Sequence, residues 1–181
     1  MADTTIYTIG HSTRSLDEFV AMLKAHGVTS LIDIRTIPKS RRHPHFAGET
    51  LAESLPDAGV SYDWMEALGG LRKPKPDSEN SAWRNLSFRG YADHMQTEAF
   101  NAAVDELVRR SQDASVAIMC SEAVPWRCHR SLVGDALLER GVKVLDIMSD
   151  TKATPHELTS FALVDGTRVT YPREASDGSQ S

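Results

Sequence analysis

The sequence predicts an α/β domain, in which helices cover both faces of a mostly parallel sheet. Apolar strands alternate with amphipathic helices along the chain, and such strands are typical of parallel sheets that are buried on both faces. In three places a helix is followed by Gly-Val and then by a strand. The length of 181 residues suits a single hydrophobic core. We therefore expect one α/β domain over residues 1–172 and a disordered tail of small polar residues over 173–181.

Short apolar segments predict four strands, at 6–9, 30–34, 115–120 and 143–147. The first helix follows Ser15, which is a good N-cap, and Glu18 three residues later completes a capping box. The apolar residues of this helix recur on one face, and Gly27 suits the left-handed conformation that ends a helix.

Further helices follow the other strands. In the second helix, Pro56 is expected to end the regular hydrogen bonding, because proline has no N–H group. A long helix is predicted over about 97–110, and a shorter one ends at Gly141. Beyond the last strand, Asp165-Gly166 predicts the turn of a hairpin.

Two stretches do not fit this alternation and are expected to be loops. Residues 36–48 (TIPKSRRHPHFAG) are rich in proline and basic side chains. Residues 68–90 carry three glycines, two prolines and many polar groups. A loop as long as this second one is usually a lid or a binding loop in a compact domain, and we expect such a function for it.

The balance of charge argues against a protein that wraps nucleic acid. The chain has 20 basic and 25 acidic residues, a net charge of −5, whereas such proteins are usually basic. No apolar run approaches the ~18 residues of a membrane span, so we expect no membrane partner. The start MADTTIYTIGHS lacks the features of a signal peptide. Together with only two cysteines, this predicts a cytoplasmic protein in a reducing compartment.

Polar and ionisable residues follow each predicted strand. Parallel strands end at the same edge of a sheet, and ligands bind beyond that edge. The residues concerned are His11 and Ser12 after the first strand, Asp33, Arg35 and Ser40 after the second, and Cys120, Glu122, Arg127, Cys128, His129 and Arg130 after the third. Because segments far apart in the chain deliver these side chains to one edge, we expect them to form one pocket.

The segment C-S-E-x4-R-C-H-R is the strongest local signal. Cys120 ends a buried strand just before a helix, whose N-terminus and arginines favour a thiolate and bind anions. We therefore expect Cys120 to act as nucleophile or redox thiol, with Cys128 as the alternative. The residues expected to take part in catalysis are Cys120, Glu122, His129, His11 and Asp33. Those expected to bind the substrate are Ser12, Arg35, Ser40, Arg127, Cys128 and Arg130.

Each of these residues also has a structural explanation. A cysteine that ends a core strand is often a small buried apolar residue, and Asp33 and Arg35 can simply pair with each other. A metal site of the two cysteines with His129 and His11 stays open, although C-x7-C is not the usual zinc spacing. We expect no cofactor. In particular, no G-x-G-x-x-G follows the first strand, which disfavours a dinucleotide.

Four short segments stand out together: TIGHS at 8–12, DIRTIPKS at 33–40, LGG at 68–70, and CSE at 120–122 with CHR at 128–130. In combination they resemble the bacterial domain-of-unknown-function 488 family (DUF488) over about residues 6–148. The resemblance implies a Rossmann-like α/β fold. It also implies that the family's shared motif set includes His11, Ser12, Asp33, Arg35, Ser40, Glu122, Cys128, His129 and Arg130. At Asp146 the sequence departs from the family, which often has His there.

We expect an enzyme that binds an anionic, phosphate-bearing small molecule at this edge of the sheet. One alternative is a nucleic-acid-associated protein for repair or base modification, because the loop TIPKSRRHPHF is basic and Trp64, Trp83 and Phe88 could stack on bases. Another is a non-catalytic sensor of an anionic metabolite or a metal. The partner is thus an anionic small molecule or a nucleic acid, and a homodimer is one option for the assembly.

Overall fold

Five parallel strands form most of the central sheet in the computed structural model, which describes residues 4–166 and 168–173. The strands of this sheet are β1 (Thr5–Gly10), β2 (Ser30–Asp33), β3 (Ser61–Trp64), β4 (Val116–Cys120), β5 (Lys143–Ile147) and β6 (Ala153–Pro155). Their order is β3-β2-β4-β1-β5-β6, and β6 runs antiparallel to β5. The predicted fold class and the four predicted strands are confirmed.

Helices pack on both faces of this sheet. They are α1 (Leu16–Ala25), α2 (Gly48–Asp57), α3 (Leu86–His94), α4 (Glu98–Arg110) and α5 (Arg130–Leu138). Phe19 of α1 shares one buried cluster with Leu31 of β2, whereas Leu107 of α4 shares the other with Ile32. Consecutive strand residues point to opposite faces, so Leu31 and Ile32 belong to different clusters. Strand β2 is therefore buried on both sides, as its apolar sequence predicts.

The predicted helix ends agree with the structure. Ser15 and Glu18 form a reciprocal capping box at the start of α1. After this helix, Gly27 has a φ of 73°, in the left-handed region that favours glycine. Pro56 is the next-to-last residue of α2, so the helix ends where the proline was expected to end it.

The prediction of a loop over 68–90 is wrong for its last residues, because α3 begins at Leu86. The Asn85 side chain accepts hydrogen bonds from the backbone N–H groups of Ser87 and Phe88, which makes it the N-cap of α3. The polar composition of NLSFRG obscured this helix, because its first turn carries no apolar periodicity. Its last two turns bury Tyr91 in the core.

A small hairpin follows the central sheet, as Asp165-Gly166 predicts. Strands β7 (Leu163–Asp165) and β8 (Arg168–Thr170) pair in antiparallel fashion, and Gly166 has a φ of 64°. Residues 174–181 of the predicted disordered tail lie outside the described residues. A bilayer-spanning helix is not found within residues 4–166 and 168–173.

The strand order places a crevice between β2 and β4. The connection from β2 runs through α2 to β3 at one edge of the sheet, whereas the connection from β4 runs through α5 to β5 in the other direction. Adjacent parallel strands whose connections diverge in this way leave room for a ligand beyond their carboxyl ends. The residues paired in register at those ends are Asp33 and Met119. The loops that follow these two residues are therefore the expected place for a site.

Candidate functional site

The loops after β1 and β4 lie directly against each other. The backbone N–H of His11 donates to the carbonyl oxygen of Cys120 at 3.0 Å, which extends the pairing of the two strands. A Cβ atom on Gly10 would lie only 1.6 Å from the carbonyl oxygen of Glu122. Only glycine fits at this position, and its absent side chain brings His11, Cys120 and Glu122 into one neighbourhood.

A cavity of about 370 Å³ opens beyond the carboxyl end of β4, and we name it the cysteine cavity. Six of the predicted site residues line it: Arg35, Cys120, Glu122, Arg127, Cys128 and His129. These residues come from the ends of β2 and β4 and from the segment that leads into α5. The sequence prediction that distant segments meet at this edge therefore holds for these six residues.

The two thiols of the cysteine cavity have different hydrogen-bond partners. The Sγ of Cys120 lies 3.6 Å from the carbonyl oxygen of Glu122, to which it donates. The Sγ of Cys128 lies 3.4 Å from the Nδ1 of His129. The Nε2 of His129 lies 2.8 Å from the carbonyl oxygen of Ile34, which can only accept, so Nε2 carries the proton. The lone pair of Nδ1 therefore faces the Cys128 thiol.

The surroundings make Cys120 the more acidic of the two thiols. Burial opposes ionisation of Cys120, but a hydrogen bond from Cys128 and the charge of Arg130 outweigh it and lower the pKa of Cys120. Burial and the neighbouring Cys120 raise the pKa of Cys128. Burial also lowers the pKa of His129, so its imidazole is neutral near pH 7. The cavity thus favours a thiolate at Cys120 beside a neutral thiol and a neutral imidazole.

A second cavity of about 850 Å³ adjoins the first, and we name it the basic groove. Predicted site residues on its wall are His11, Ser12 and Ser40. It shares Ser121, Glu122 and Arg127 with the cysteine cavity. Basic side chains also line it: Arg41, Arg42 and His43. The expected single pocket is therefore two adjoining cavities that have Ser121, Glu122 and Arg127 in common.

Asp33 lies behind these cavities and holds Arg35 in place. The Nε of Arg35 lies 2.9 Å from Oδ1 of Asp33, and Nη2 lies 2.6 Å from Oδ2. Asp33 is fully buried and also accepts a hydrogen bond from the Tyr62 hydroxyl at 2.6 Å. Asp33 lines neither cavity. We therefore expect it to act through Arg35 and not on the substrate.

His11 is held as a neutral base next to Arg35. Its Nδ1 donates to the carbonyl oxygen of Ser12 at 2.9 Å, and its ring stacks on Phe46 with centroids 4.4 Å apart. Burial, together with the charge of Arg35, lowers the pKa of His11 to about 4. The unprotonated Nε2 lies 3.4 Å from Nη1 of Arg35. This imidazole is therefore neutral near pH 7, and its Nε2 serves as a hydrogen-bond acceptor.

Arg130 lies within the protein and not on a cavity wall. Its side chain is fully buried, and its Nη1 donates to the hydroxyl of Thr8 at 3.1 Å. Its Nη2 lies 3.2 Å from the carbonyl oxygens of both Glu122 and Ala123. Although a contact with the substrate was expected for Arg130, it lines neither cavity. This geometry supports a positioning role for the guanidinium, which holds the loop after β4.

The residues suggested for a metal site line two different cavities. His11 lines the basic groove, whereas the two cysteines and His129 line the cysteine cavity. Among the described residues, no three His, Cys, Asp or Glu side chains are arranged to hold a metal ion. The geometry therefore gives this alternative no support.

The three aromatic residues suggested for base stacking do not form one surface. The indole N–H of Trp64 donates to the carbonyl oxygen of Arg35 at 2.8 Å. Trp83 packs edge-on against Phe88, with ring centroids 4.9 Å apart. Phe88 lines the cysteine cavity, whereas Trp64 and Trp83 each line another cavity. A continuous stacking platform is therefore not built from these three side chains.

Sequence reasoning missed several residues that border or support the site. Lys39 and Tyr91 line the cysteine cavity but were not expected to be site residues, although Lys39 lies within the DIRTIPKS segment at 33–40. Asp135 and His156 form a buried ion pair behind it. Asp135 did leave a signal, because a carboxylate in the apolar helix SLVGDALL needs a buried partner. His156 left none, since its partner lies 21 residues away in the chain.

Comparison with known proteins identifies a family that covers most of the chain. A family model described as “Domain of unknown function DUF488” matches residues 15–137 of the 181 in the chain. The match includes both cysteines and the Asp33–Arg35 pair, and it begins after His11. No curated protein and no solved structure matches the chain. The resemblance found in the sequence is confirmed, and the chain belongs to the DUF488 family of domains of unknown function.

Proposed function

We propose that the protein is an enzyme that uses Cys120 as a nucleophile on a small anionic, phosphate-bearing substrate. One observation carries this proposal: the Cys120 thiol, whose pKa is lowered, lines the same cavity as the cations Arg35 and Arg127. A thiolate is the reactive form of cysteine, and guanidinium groups bind phosphate through paired hydrogen bonds. A cavity of about 370 Å³ has the size of a small-molecule site.

The cations of the cavity have distinct tasks in this proposal. Arg127 and Lys39 are exposed on the wall and are free to follow an anion as it enters. Arg35 is fixed by Asp33, with only its Nη1 turned toward His11, so it offers a rigid donor. Fixed donors favour one orientation of the substrate, because they lose little freedom on binding.

Proton transfer has two candidate groups. Glu122 is exposed where the cysteine cavity meets the basic groove, so its carboxyl group can reach a ligand in either. The neutral His129 presents its Nδ1 lone pair to Cys128, and Cys128 contacts Cys120. In this proposal Cys120 forms a bond to an electrophilic atom of the substrate while the bond between that atom and the departing group breaks. Glu122 passes the proton that the Cys120 thiol gives up to the departing group.

A reducing compartment suits this chemistry. Cys120 and Cys128 are both free thiols, and the reducing environment of the cytosol keeps such thiols from forming disulfides. We therefore propose a cytoplasmic location, in which Cys120 stays available as a nucleophile.

Protection of Cys120 by an anion tests the proposal. Iodoacetamide alkylates the native chain at pH 7, and peptide mapping follows the rate at Cys120 with and without inorganic phosphate. We expect phosphate to slow alkylation in the wild type and to lose most of this effect in Arg127→Gln. Arg109→Gln is the matched control, because Arg109 is exposed on α4 and pairs with Glu106.

Two results would contradict the proposed function. The first is a Cys120 that reacts only with the pKa of an ordinary thiol, near ~8.5. The second is an alkylation rate that phosphate does not change. Phosphate protection of a thiol with an ordinary pKa would instead favour the non-catalytic anion sensor.

A nucleic-acid-associated protein is the second candidate, and the basic groove is the observation that favours it. Arg41, Arg42 and Arg127 line a cavity of about 850 Å³, and their guanidinium groups suit phosphates. Binding of single-stranded RNA or DNA that weakens steeply with salt would support this candidate. The same assay on Arg41→Gln combined with Arg42→Gln should then lose affinity, whereas binding without a salt slope would exclude the groove as a phosphodiester site.

A further inference from the structure

A buried network of charged side chains lies behind the cysteine cavity, and the proposed mechanism does not use it. Its centre is His156, which follows β6 and whose side chain is 7% exposed. The Nε2 of His156 lies 3.0 Å from Oδ1 of Asp135 on α5. Its Nδ1 lies 3.3 Å from Oδ2 of Asp146 on β5. One imidazole thus joins two carboxylates from different elements.

The imidazole of His156 is positively charged. Burial alone favours the neutral form, but hydrogen bonds and charge interactions with Asp135 and Asp146 outweigh it and raise the pKa of His156 to about 9. The two aspartates are 0% and 5% exposed, so each needs a positive partner. Removing the imidazole would leave two buried carboxylates without their shared counter-ion.

Several contacts fix the position of the His156 ring. Asp135 also accepts hydrogen bonds from the Tyr171 hydroxyl at 2.7 Å and from the backbone N–H of Thr159 at 3.1 Å. The His156 ring packs directly on the backbone of α5, because a Cβ atom on Gly134 would lie 2.8 Å from its Nε2. The glycine makes room for the ring, and the aspartate fixes its orientation.

A single hydroxyl connects this ion pair to Arg130. The hydroxyl of Thr8 donates to Asp146 and accepts from Nη1 of Arg130, at 3.1 Å for the second contact. The direction is unambiguous, because a guanidinium has only donors and a carboxylate only accepts. Asp146 therefore fixes the Thr8 hydroxyl, and the hydroxyl fixes one end of the Arg130 guanidinium.

The other end of Arg130 holds the wall of the cysteine cavity. Its Nη2 donates to the carbonyl oxygens of Glu122 and Ala123, and its backbone N–H lies 3.5 Å from the Sγ of Cys128. The charge of Arg130 also favours the Cys120 thiolate. A displacement of this guanidinium would thus change both the shape of the wall and the charge at the thiols.

We propose that His156 is a positioning residue for Cys120: through Asp146 and Thr8 it holds the guanidinium of Arg130 against the loop after β4. This inference rests on the proposed function only for its biological purpose, because the contacts and the acidity of a thiol can be tested without a substrate. Arg130 and His156 neutralise Asp135 and Asp146. Without the imidazolium, the buried cluster carries one net negative charge, which disfavours a thiolate at Cys120.

A test of this proposal must leave the groups that face Cys120 unchanged. They are Cys128, Glu122 and Arg130, and the first of these also contacts His129. All four stay unchanged in variants of His156. A shift in the acidity of Cys120 in such a variant therefore reports the change behind the cavity.

The test measures the rate of iodoacetamide alkylation of Cys120 against pH, by peptide mapping on the full chain. In His156→Gln we expect the apparent pKa of Cys120 to rise by about one unit, which makes alkylation about tenfold slower at pH values below the wild-type pKa. His156→Lys restores a positive charge near the aspartates and should recover part of the rate. His26→Gln is the matched control, because His26 bonds the Ser149 carbonyl at 2.8 Å, away from this network.

The outcomes separate this inference from the proposed function. An inert Cys120 in the wild type removes the proposed function, whereas a reactive Cys120 with the same pKa in wild type and His156→Gln overturns the positioning role. If His156→Gln does not fold, Gly134→Ala takes its place, since the added methyl group displaces the ring without removing its charge. An unchanged pKa of Cys120 in folded Gly134→Ala overturns the inference as well.

Discussion

The carbonyl oxygen of Glu122 occupies the space that a side chain on Gly10 would need, since a Cβ atom there would lie 1.6 Å from it. This contact joins the two loops that leave adjacent strands at the carboxyl edge of the sheet. It is made of backbone on both sides, so neither partner can rotate away. The distance between the basic groove and the cysteine cavity thus depends on a glycine.

Gly10→Ala should therefore cost about 3 kcal/mol or more of unfolding free energy, because backbone and not a flexible side chain must move. Gly59→Ala is the control. Gly59 has a φ of 84° and no atom near the place of a Cβ, so only backbone strain of about 1 kcal/mol is expected. Urea denaturation compares the two, and an equal cost would show that the contact with Glu122 is not rigid.

The buried ion pair of Asp33 and Arg35 predicts that a small change to Asp33 lowers the unfolding free energy strongly. Asp33→Asn keeps the shape but leaves a buried guanidinium without its counter-ion, and we expect a loss of about 3 kcal/mol. Asp63→Asn breaks the exposed pair with Arg110 and should cost less than about 1 kcal/mol. Chemical denaturation at pH 7 measures both, and similar losses in the two variants would contradict the structural importance of Asp33.

The stability of the protein at alkaline pH should depend on the positive charge of His156. The pKa of its imidazole rises from about 6.5 in the unfolded chain to about 9 in the folded protein. The resulting stabilisation is fully present below pH 6.5 and is lost as the pH rises through 9. Denaturation midpoints between pH 6 and 10 should therefore fall in the wild type and fall less in His156→Gln, whereas parallel profiles would show that His156 is not charged.

His11 should make the stability of the protein fall as the pH becomes acidic. Its pKa falls from about 6.5 in the unfolded chain to about 4 in the folded protein. The unfolded chain therefore binds a proton first, and stability declines as the pH falls from 6.5 to 4. His11→Gln should reduce this decline over the same range. A variant profile that coincides with the wild type would contradict a neutral, buried His11.

The edge of the sheet could be predicted from the sequence, but the direction of each side chain could not. The apolar strands and the residues that follow them identify which segments meet, because parallel strands share one carboxyl edge. Whether Arg35 or Arg130 faces a cavity depends on tertiary contacts: Arg35 lines the cysteine cavity, whereas Arg130 is buried behind it. The two arginines have no difference in local sequence that foretells this.

Longer-range features were also beyond the reach of local patterns. The start of α3 depends on one side-chain cap, Asn85, in a segment with no apolar periodicity. The charge of His156 depends on Asp135 and Asp146, which the fold brings together from a helix and a strand. Such a cluster becomes visible only when the packing of α5 on the sheet is known.

The reactivity of the two thiols tests the central claim most directly. The native chain is treated at pH 7 with less than one equivalent of iodoacetamide, and mass spectrometry of its peptides shows which cysteine carries the label. Because the pKa of Cys120 is lowered and that of Cys128 is raised, we expect the label on Cys120. A label that favours Cys128, or that reaches either thiol only after denaturation, would contradict a nucleophilic Cys120.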